Sequence, residues 1–328
     1  MSLSLSLFPA TQAQIIDARR RSFKEWGRSM TEEEYLRRDA EMDKDEHASN
    51  RKLTTWVLCS REDPESLEFK CSCETFLRRG LITIYRSKYP ATAIASVFTP
   101  ERYRRRGYAK HMMRLLHWVL APPSSLPPTG VHPGHFSALW SDVGDFYRFC
   151  GPTDNIEGWV LRDASTTIWD VKPDAPADSI SDEKWRLKQE LIAKSAALDS
   201  GKTLLTFLPG DGVEMFQRIK SESFWGKLEP PVRHWGVISD DESAFATWTF
   251  ERPPKTLLVT RLWVNQENFG DLVAVLKIEV WCLPDELKSV AQSHGAHLPA
   301  LKWYGVESPT DVIWLNRERC VHLSRQRS

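Results

Sequence analysis

Three arginines and a glycine stand together at Arg104-Arg105-Arg106-Gly107. An apolar stretch ending in Val97-Phe98-Thr99-Pro100 precedes them, and Tyr108-Ala109-Lys110 opens an amphipathic run to Ala121. The pattern reads as strand, basic turn, glycine, helix. Main-chain N–H groups in the first turn of a helix lack partners and carry partial positive charge, so such a terminus suits a pyrophosphate. Gly107 lets backbone approach a phosphate with no Cβ in the way, and Ala109 is small for the same reason. Arg104, Arg105 and Arg106 add charge-assisted donors. The glycine spacings of a Walker loop and of a Rossmann fingerprint are both missing. A solvated basic turn before an ordinary helix would carry the same residues.

Cysteine chemistry finds little support. Cys71 and Cys73 form a close pair, but no second pair and no adjacent histidine completes a zinc site, so no metal is expected. Cys150 has no histidine partner in view, which speaks against a covalent intermediate on that thiol. Reduced, partly buried thiols are the expectation.

The elements that must position these residues follow from periodicity and punctuation. Leu alternates with Ser from residue 2 to Phe8, as in a strand with one buried face. Thr11 enters a helix closed by Gly27, and Thr31 with Glu34 forms a capping box for a charged helix toward His47. Strands are expected at Leu53–Cys59, at Phe69–Thr75 and Leu81–Tyr85 around Arg78-Arg79-Gly80, and at Ala91–Thr99. The helix Lys110–Ala121 follows, then a proline-rich loop over 122–134, a strand at His135–Trp140 and a short helix at Asp145–Cys150. One or two further strands lie between Gly158 and Val171, giving β-α-α-β-β-β-α-β-α-β.

Lys172-Pro-Asp-Ala-Pro-Ala-Asp178 has linker composition. Residues 1–171, a linker at 172–180 and a second α+β domain at 181–328 are therefore expected. The second part should hold a helix from Ser181 to Leu198 and strands at Leu204–Leu208, His234–Ile238, Phe245–Phe250 and Leu257–Val264. A helix at Asn268–Leu283 and a strand pair at Leu301–Tyr304 and Val312–Leu315 complete it. Two strands followed by a long helix near Phe269-Gly270 weakly echo the first half, as a degenerate copy of it would.

Length and charge narrow the class. A chain of 328 residues can bury a sizeable core, and its formal net charge of +0 disfavours a dedicated nucleic-acid binder. No stretch reaches the roughly 18–20 apolar residues of a membrane span. The first residues lack the charge and apolar run of a secretory signal. A cytoplasmic protein with no membrane partner is expected. The fourteen tryptophans are assigned to core packing.

Arg104-x-x-Gly107-x-Ala109 resembles the Q/R-x-x-G-x-G/A motif of the GNAT acetyltransferases, and the element order over residues 5–171 resembles theirs. The resemblance implies acetyl-CoA as cosubstrate. Main-chain groups of Val97, Phe98 and Thr99 would pair with the pantetheine arm. Amides from Arg104 to Lys110, Tyr108 among them, would hold the pyrophosphate. Tyr147-Arg-Phe-Cys-Gly151 resembles the family's Y-x-x-x-G-F segment, where the tyrosine is a general acid, although Pro152 replaces the aromatic.

Shorter pieces narrow the likeness: Cys73-Glu-Thr-Phe76, Ser96–Pro100, Ser141-Asp-Val-Gly144, Phe146-Tyr147, Ala246–Thr249 and Thr260-Arg-Leu262 together resemble the fungal lysine N6-acetyltransferases. That implies acetylation of the side-chain amine of free L-lysine, a step of lysine degradation, with Glu74 as first and Asp142 as second candidate base. Trp248 and Arg261 are candidate contacts to the acceptor. A protein-lysine or N-terminal acetyltransferase and a non-catalytic acyl-CoA-binding protein are the alternatives.

Overall fold

The computed structural model describes residues 4–27, 30–82, 87–121, 135–162, 202–208, 297–305 and 307–314, the short strands given below, and residues 210 and 212. Among the described residues, no helix is long and apolar enough to cross a membrane. The expected order is found: β1 (Leu5–Pro9), α1 (Gln12–Trp26), α2 (Glu32–Met42), β2 (Leu53–Ser60), β3 (Cys71–Ile82), β4 (Ser87–Phe98), α3 (Tyr108–Leu120), β5 (Phe136–Ser141), a 3-10 segment (Gly144–Cys150) and β6 (Val160–Leu161). The strand material on both sides of Arg78-Arg79-Gly80 is one continuous strand. Gly80 sits inside it because a Cβ there would lie 2.5 Å from the Phe136 ring.

Local chemistry explains the helices. Thr11 Oγ1 accepts from the Gln14 amide while Gln14 Oε1 accepts from the Thr11 amide, and Thr31 with Glu34 repeats this capping box on α2. α2 ends at Met42, short of the expected His47. α3 buries Met112, Met113, Leu116 and Leu120 against Leu58, Cys71, Cys73, Ile94 and Leu139 on one face of the sheet. Each such side chain contributes about 1.5–3 kcal/mol of transfer free energy. The β1 alternation serves two layers: Leu5 and Leu7 pack toward α3, and Phe8 packs toward Ala18 of α1. Trp56, Trp140, Trp159, Trp303 and Trp314 are all buried, in keeping with a packing role for tryptophan.

Further strands are β7 (Ser165–Ile168), β8 (Thr203–Phe207), β9 (Gly236–Ile238), β10 (Phe245–Glu251), β11 (Thr256–Trp263), β12 (Glu279–Trp281), β13 (Gln292–Ser293), β14 (Leu298–Trp303) and β15 (Val312–Trp314). They fall into two sheets. The first runs β1-β2-β3-β4-β5-β14-β6, with β8 pairing β3 and β15 pairing β8. The second runs β13-β7-β12-β11-β10-β9.

Residue 171 therefore does not separate the sheets. β8, β14 and β15 return to the first, while β7 belongs to the second. The reason is visible in the sequence of β14: Ala300 packs on the α3 face, whereas Leu301 and Trp303 pack on the other, as a central strand requires. β14 and β15 were expected to pair with each other; β14 instead pairs with β5 and β6. Glu279–Trp281 was expected to be helical and is a strand between β11 and β7, where Val280 and Trp281 suit a pleated surface. The expected linker at 172–180 and helix at 181–198 lie outside the described residues.

Candidate active site

The site begins where two parallel strands part. β4 and β5 pair from Thr92–Ser137 to Ile94–Leu139, and among the described residues their pairing stops there. β4 continues to Phe98 against β3, and β5 continues to Ser141 against β14. Past Ile94, the edge of β4 that faces β5 has no strand against it among the described residues. A bulge bends β4 at this point: Glu74 opposes Ala95 and Ser72 opposes Phe98, so Ser96 and Val97 together face Cys73. Ser96 takes a left-handed φ of 53° there. Between the splayed strands lies a cleft of ≈ 520 Å³, with Val97, Phe98 and Thr99 along one wall.

The turn after β4 forms one end of the cleft. Gly107 is the N-cap of α3 with φ 78° and ψ 0°, and no side chain caps this helix. A Cβ at Gly107 would meet nothing within 4 Å, so glycine serves the left-handed backbone and leaves the approach open. Arg105 is also left-handed, at φ 63°. Among the described residues, the amides of Arg105, Arg106, Gly107, Tyr108, Ala109 and Lys110 donate to no main-chain carbonyl. Six unpartnered amides in a curled turn at a helix N-terminus make an anion cradle.

Arg104 corrects an expectation. Its Nη2 lies 2.6 Å from Glu25 Oε1 and its Nε donates to the Thr99 carbonyl at 3.0 Å. It ties the turn to the end of α1 instead of pointing a free guanidinium into the cradle. Arg105 and Arg106 form no ion pair with a described residue, and both are exposed.

Tyr147 and Asp142 line the opposite wall, with Val143 and Phe146. The 3-10 segment that carries Tyr147 is held by two close approaches. A Cβ on Gly158 would lie 2.3 Å from the Tyr147 carbonyl, and one on Gly151 would lie 1.5 Å from the Ile156 carbonyl. Trp159 N–H donates to the Tyr147 carbonyl at 3.1 Å. Asp142 Oδ1 accepts from the main-chain N–H of His297 at 2.8 Å, and His297 Nδ1 lies 2.9 Å from the same oxygen. Cys150 is fully buried, its thiol donates to the Phe146 carbonyl, and burial pushes its pKa up to about 12. A thiolate nucleophile there is disfavoured.

Glu74 lies on the other side of β4, in a second, smaller cavity under α1 and α2. Trp26, Ser96 and Phe98 line both cavities. Ser96 Oγ donates to Glu74 Oε2 at 2.7 Å, across the bulge. Arg19 Nη2 stands 3.9 Å from Glu74 Oε1 and 2.8 Å from Asp43, and Arg19 Nε lies 3.8 Å from Asp39. One guanidinium thus faces three carboxylates. Burial raises the Glu74 carboxyl above its ordinary range, and Arg19 and the Ser96 hydrogen bond pull it back in part.

With this geometry in view, known proteins can be compared. No family model matches the chain. Over 157 residues it is 29% identical to a lysine acetyltransferase of Yarrowia lipolytica, a match covering 43% of this chain and 39% of that one. The chain thus spans well under half of that relative's length. A GCN5-related N-acetyltransferase of Kribbella flavida superposes with a TM-score of 0.53 at 15% identity, covering 92% of this chain and 72% of that one. A protein of the same description from Anabaena variabilis gives 0.53 at 13% identity, covering 92% and 73%. The chain has the GNAT fold. These matches span most of the chain, so the GNAT likeness extends beyond the first sheet.

The GNAT motif Arg104-x-x-Gly107-x-Ala109 thus stands at the N-terminus of α3, and Val97–Thr99, the turn, Tyr147 and Asp142 meet in one cleft. Glu74 does not share it and touches it through Ser96. Trp248 and Arg261 sit opposite each other's neighbours on β10 and β11 of the second sheet, where Thr247 pairs with Arg261. Trp248 is buried and lines neither cavity, and the Arg261 side chain lies outside the described residues. Sequence reading missed Glu25, Trp26 and Ser96 as site residues, and missed Arg19, Asp39 and Asp43 around Glu74. No local signal marks them, because helix ends and a bulge bring them together. His297, which fixes Asp142, comes from 155 residues away.

Proposed function

We propose that the chain is an N-acetyltransferase that takes the acetyl group of acetyl-CoA and passes it to the side-chain amine of free L-lysine. The observation that carries this reading is the single cleft joining unpartnered amides at one end to Tyr147 at the other, along an open edge of β4. The name of the Yarrowia lipolytica relative supports lysine as the acceptor type.

The roles follow from what acyl transfer demands. The amides of Arg105–Lys110, helped by Arg105 and Arg106, hold the pyrophosphate of the cosubstrate. The open edge at Val97–Thr99 pairs with the pantetheine arm as an added strand would. That orientation sets the thioester carbonyl by the β4 bulge, where a main-chain N–H stabilises the charge that develops on oxygen.

A lysine ammonium ordinarily titrates near pH ~10.4 and must lose a proton before its nitrogen can attack. Glu74, with its carboxyl raised by burial, is the base, reached through the gap lined by Ser96; Asp142 is the second candidate. The nitrogen bonds to the carbonyl carbon, the carbon–sulfur bond breaks, Tyr147 protonates the departing thiolate, and the proton shed by the acylated nitrogen replaces the one Tyr147 gave. The cytoplasm is the setting proposed for this reaction.

Release of free thiol from acetyl-CoA tests the reading, with free lysine, other small amines and a lysine-containing peptide as acceptors. Release with free lysine is expected. Release with the peptide alone would make the chain a protein acetyltransferase. Coenzyme binding without release for any amine would make it a non-catalytic binding protein.

A further inference from the structure

Behind Tyr147, four hydrogen bonds run in series through the core. Trp159 Nε1 donates to Ser137 Oγ at 2.9 Å, and Ser137 Oγ lies 3.0 Å from Tyr304 Oη. Tyr304 Oη lies 3.0 Å from His117 Nδ1, and His117 Nε2 lies 3.0 Å from the Cys150 carbonyl. His117, Ser137 and Trp159 are each 1% exposed or less. The participants come from α3, β5, the residue before β6, and the end of β14.

The direction of every proton follows from the two ends. An indole N–H only donates, and a carbonyl only accepts. Four protons then fill four bonds in one arrangement: Ser137 donates to Tyr304, Tyr304 donates to His117 Nδ1, and His117 Nε2–H donates to Cys150. His117 is therefore a neutral imidazole with its proton on Nε2. Burial first and Lys302 on β14 second pull its pKa down to about 3, against the Cys150 hydrogen bond, which raises it. Tyr304 and Lys302 are the titratable groups facing the ring from β14, and Cys150 is the one on the 3-10 segment. Protonating Nδ1 would turn Tyr304 toward Ser137 and leave the Ser137 proton with no acceptor in the series.

Both ends of the series close on the element that presents Tyr147. Cys150 terminates the 3-10 segment. Trp159, whose ring stacks on His117 at 4.0 Å, gives its main-chain N–H to the Tyr147 carbonyl at 3.1 Å. We infer that His117 is a positioning residue for Tyr147, and that the Cys150 carbonyl and Tyr304, delivered by the returning strand β14, together fix the imidazole in the tautomer this requires. The catalytic consequence rests on Tyr147 being the proton donor proposed above; the tautomer does not.

Two measurements on the full chain separate these parts. In ¹⁵N-histidine NMR, the His117 ring is expected to read as neutral Nε2–H from about pH 8 to about pH 5, where an ordinary histidine would be charged. Tyr304→Phe should leave the proton on Nε2, still held by the Cys150 carbonyl, and move the Nδ1 resonance toward that of an acceptor with no hydrogen bond. An Nδ1–H or imidazolium signature in the unmodified chain would overturn the inference whatever the protein catalyses.

In turnover, Tyr304→Phe and His117→Leu should each lower kcat about tenfold with coenzyme affinity unchanged, and His117→Gln, which can still accept and donate, should recover most of it. Placed on Tyr147→Phe, His117→Leu should have no further effect. An undiminished kcat in both Tyr304→Phe and His117→Leu, with Tyr147→Phe impaired, would refute the positioning role alone. Full turnover in Tyr147→Phe would refute the proton-donor reading and with it any catalytic role for His117, and would leave the NMR result standing.

Discussion

The two sides of β4 are built from different materials. The cleft on the α3 side offers backbone: an open strand edge, a left-handed turn and six amides with no main-chain partner among the described residues. The cavity on the α1–α2 side offers charged side chains, with Arg19 set among Glu74, Asp39 and Asp43. Backbone donors suit a ligand whose anionic groups are always the same. Side-chain carboxylates suit a cationic acceptor whose identity differs between proteins of one fold. The bulge at Ser96 is where the two sides touch, and a reaction that joins one ligand to the other belongs there.

Breaking the backbone side should have the largest effect. Gly107→Glu places a carboxylate in the anion cradle and forces a side chain onto a left-handed backbone. Calorimetry should find no measurable coenzyme affinity, whereas wild-type affinity would show that the cradle is misassigned. Next, Tyr147→Phe should lower kcat about 100-fold and leave coenzyme affinity intact, because a general acid acts only on the leaving group.

Glu74→Gln tests the other side and should lower kcat/KM for the amine about 10- to 100-fold, again with coenzyme affinity unchanged. Ser96→Ala sharpens the link between the two sides. Losing a hydrogen bond to the ionised carboxylate raises the Glu74 pKa further, since that bond favours the charged form. The base works only when deprotonated, so the acidic limb of the pH–rate profile should move to higher pH. A downward shift would mean that Glu74 is not the group titrating. The smallest effect is expected from Glu25→Gln, which removes a carboxylate beside the cradle and loosens its hold on Arg104. Coenzyme should bind about threefold tighter at low salt, and the gain should fade as salt is added.

The same contrast explains what could be read from the sequence. The cradle was legible because its parts are contiguous: strand, turn, glycine and helix follow one another from Val97 to Lys110. Tyr147 was legible from its own segment and its place after the next strand. Arg104 was misjudged, because its partner Glu25 closes a different helix. The acidic cavity was legible at Glu74 alone, since Arg19, Asp39 and Asp43 reach it through the packing of α1 and α2. The domain boundary expected at 171 does not part the two sheets, because proline-rich composition marks where a chain leaves an element and says nothing of whether it returns. Thus Tyr304 and His297, both past residue 296, end beside the site read from the first half.

Hydrogen exchange on the full chain measures both sides at once. Saturating acetyl-CoA should slow exchange over Val97–Thr99 and Arg105–Lys110 while leaving α1 and α2 unchanged, and adding lysine should then protect the residues around Arg19, Asp39 and Glu74. Unchanged exchange from Val97 to Lys110 in the presence of the coenzyme would contradict the proposal that this cleft is the donor site.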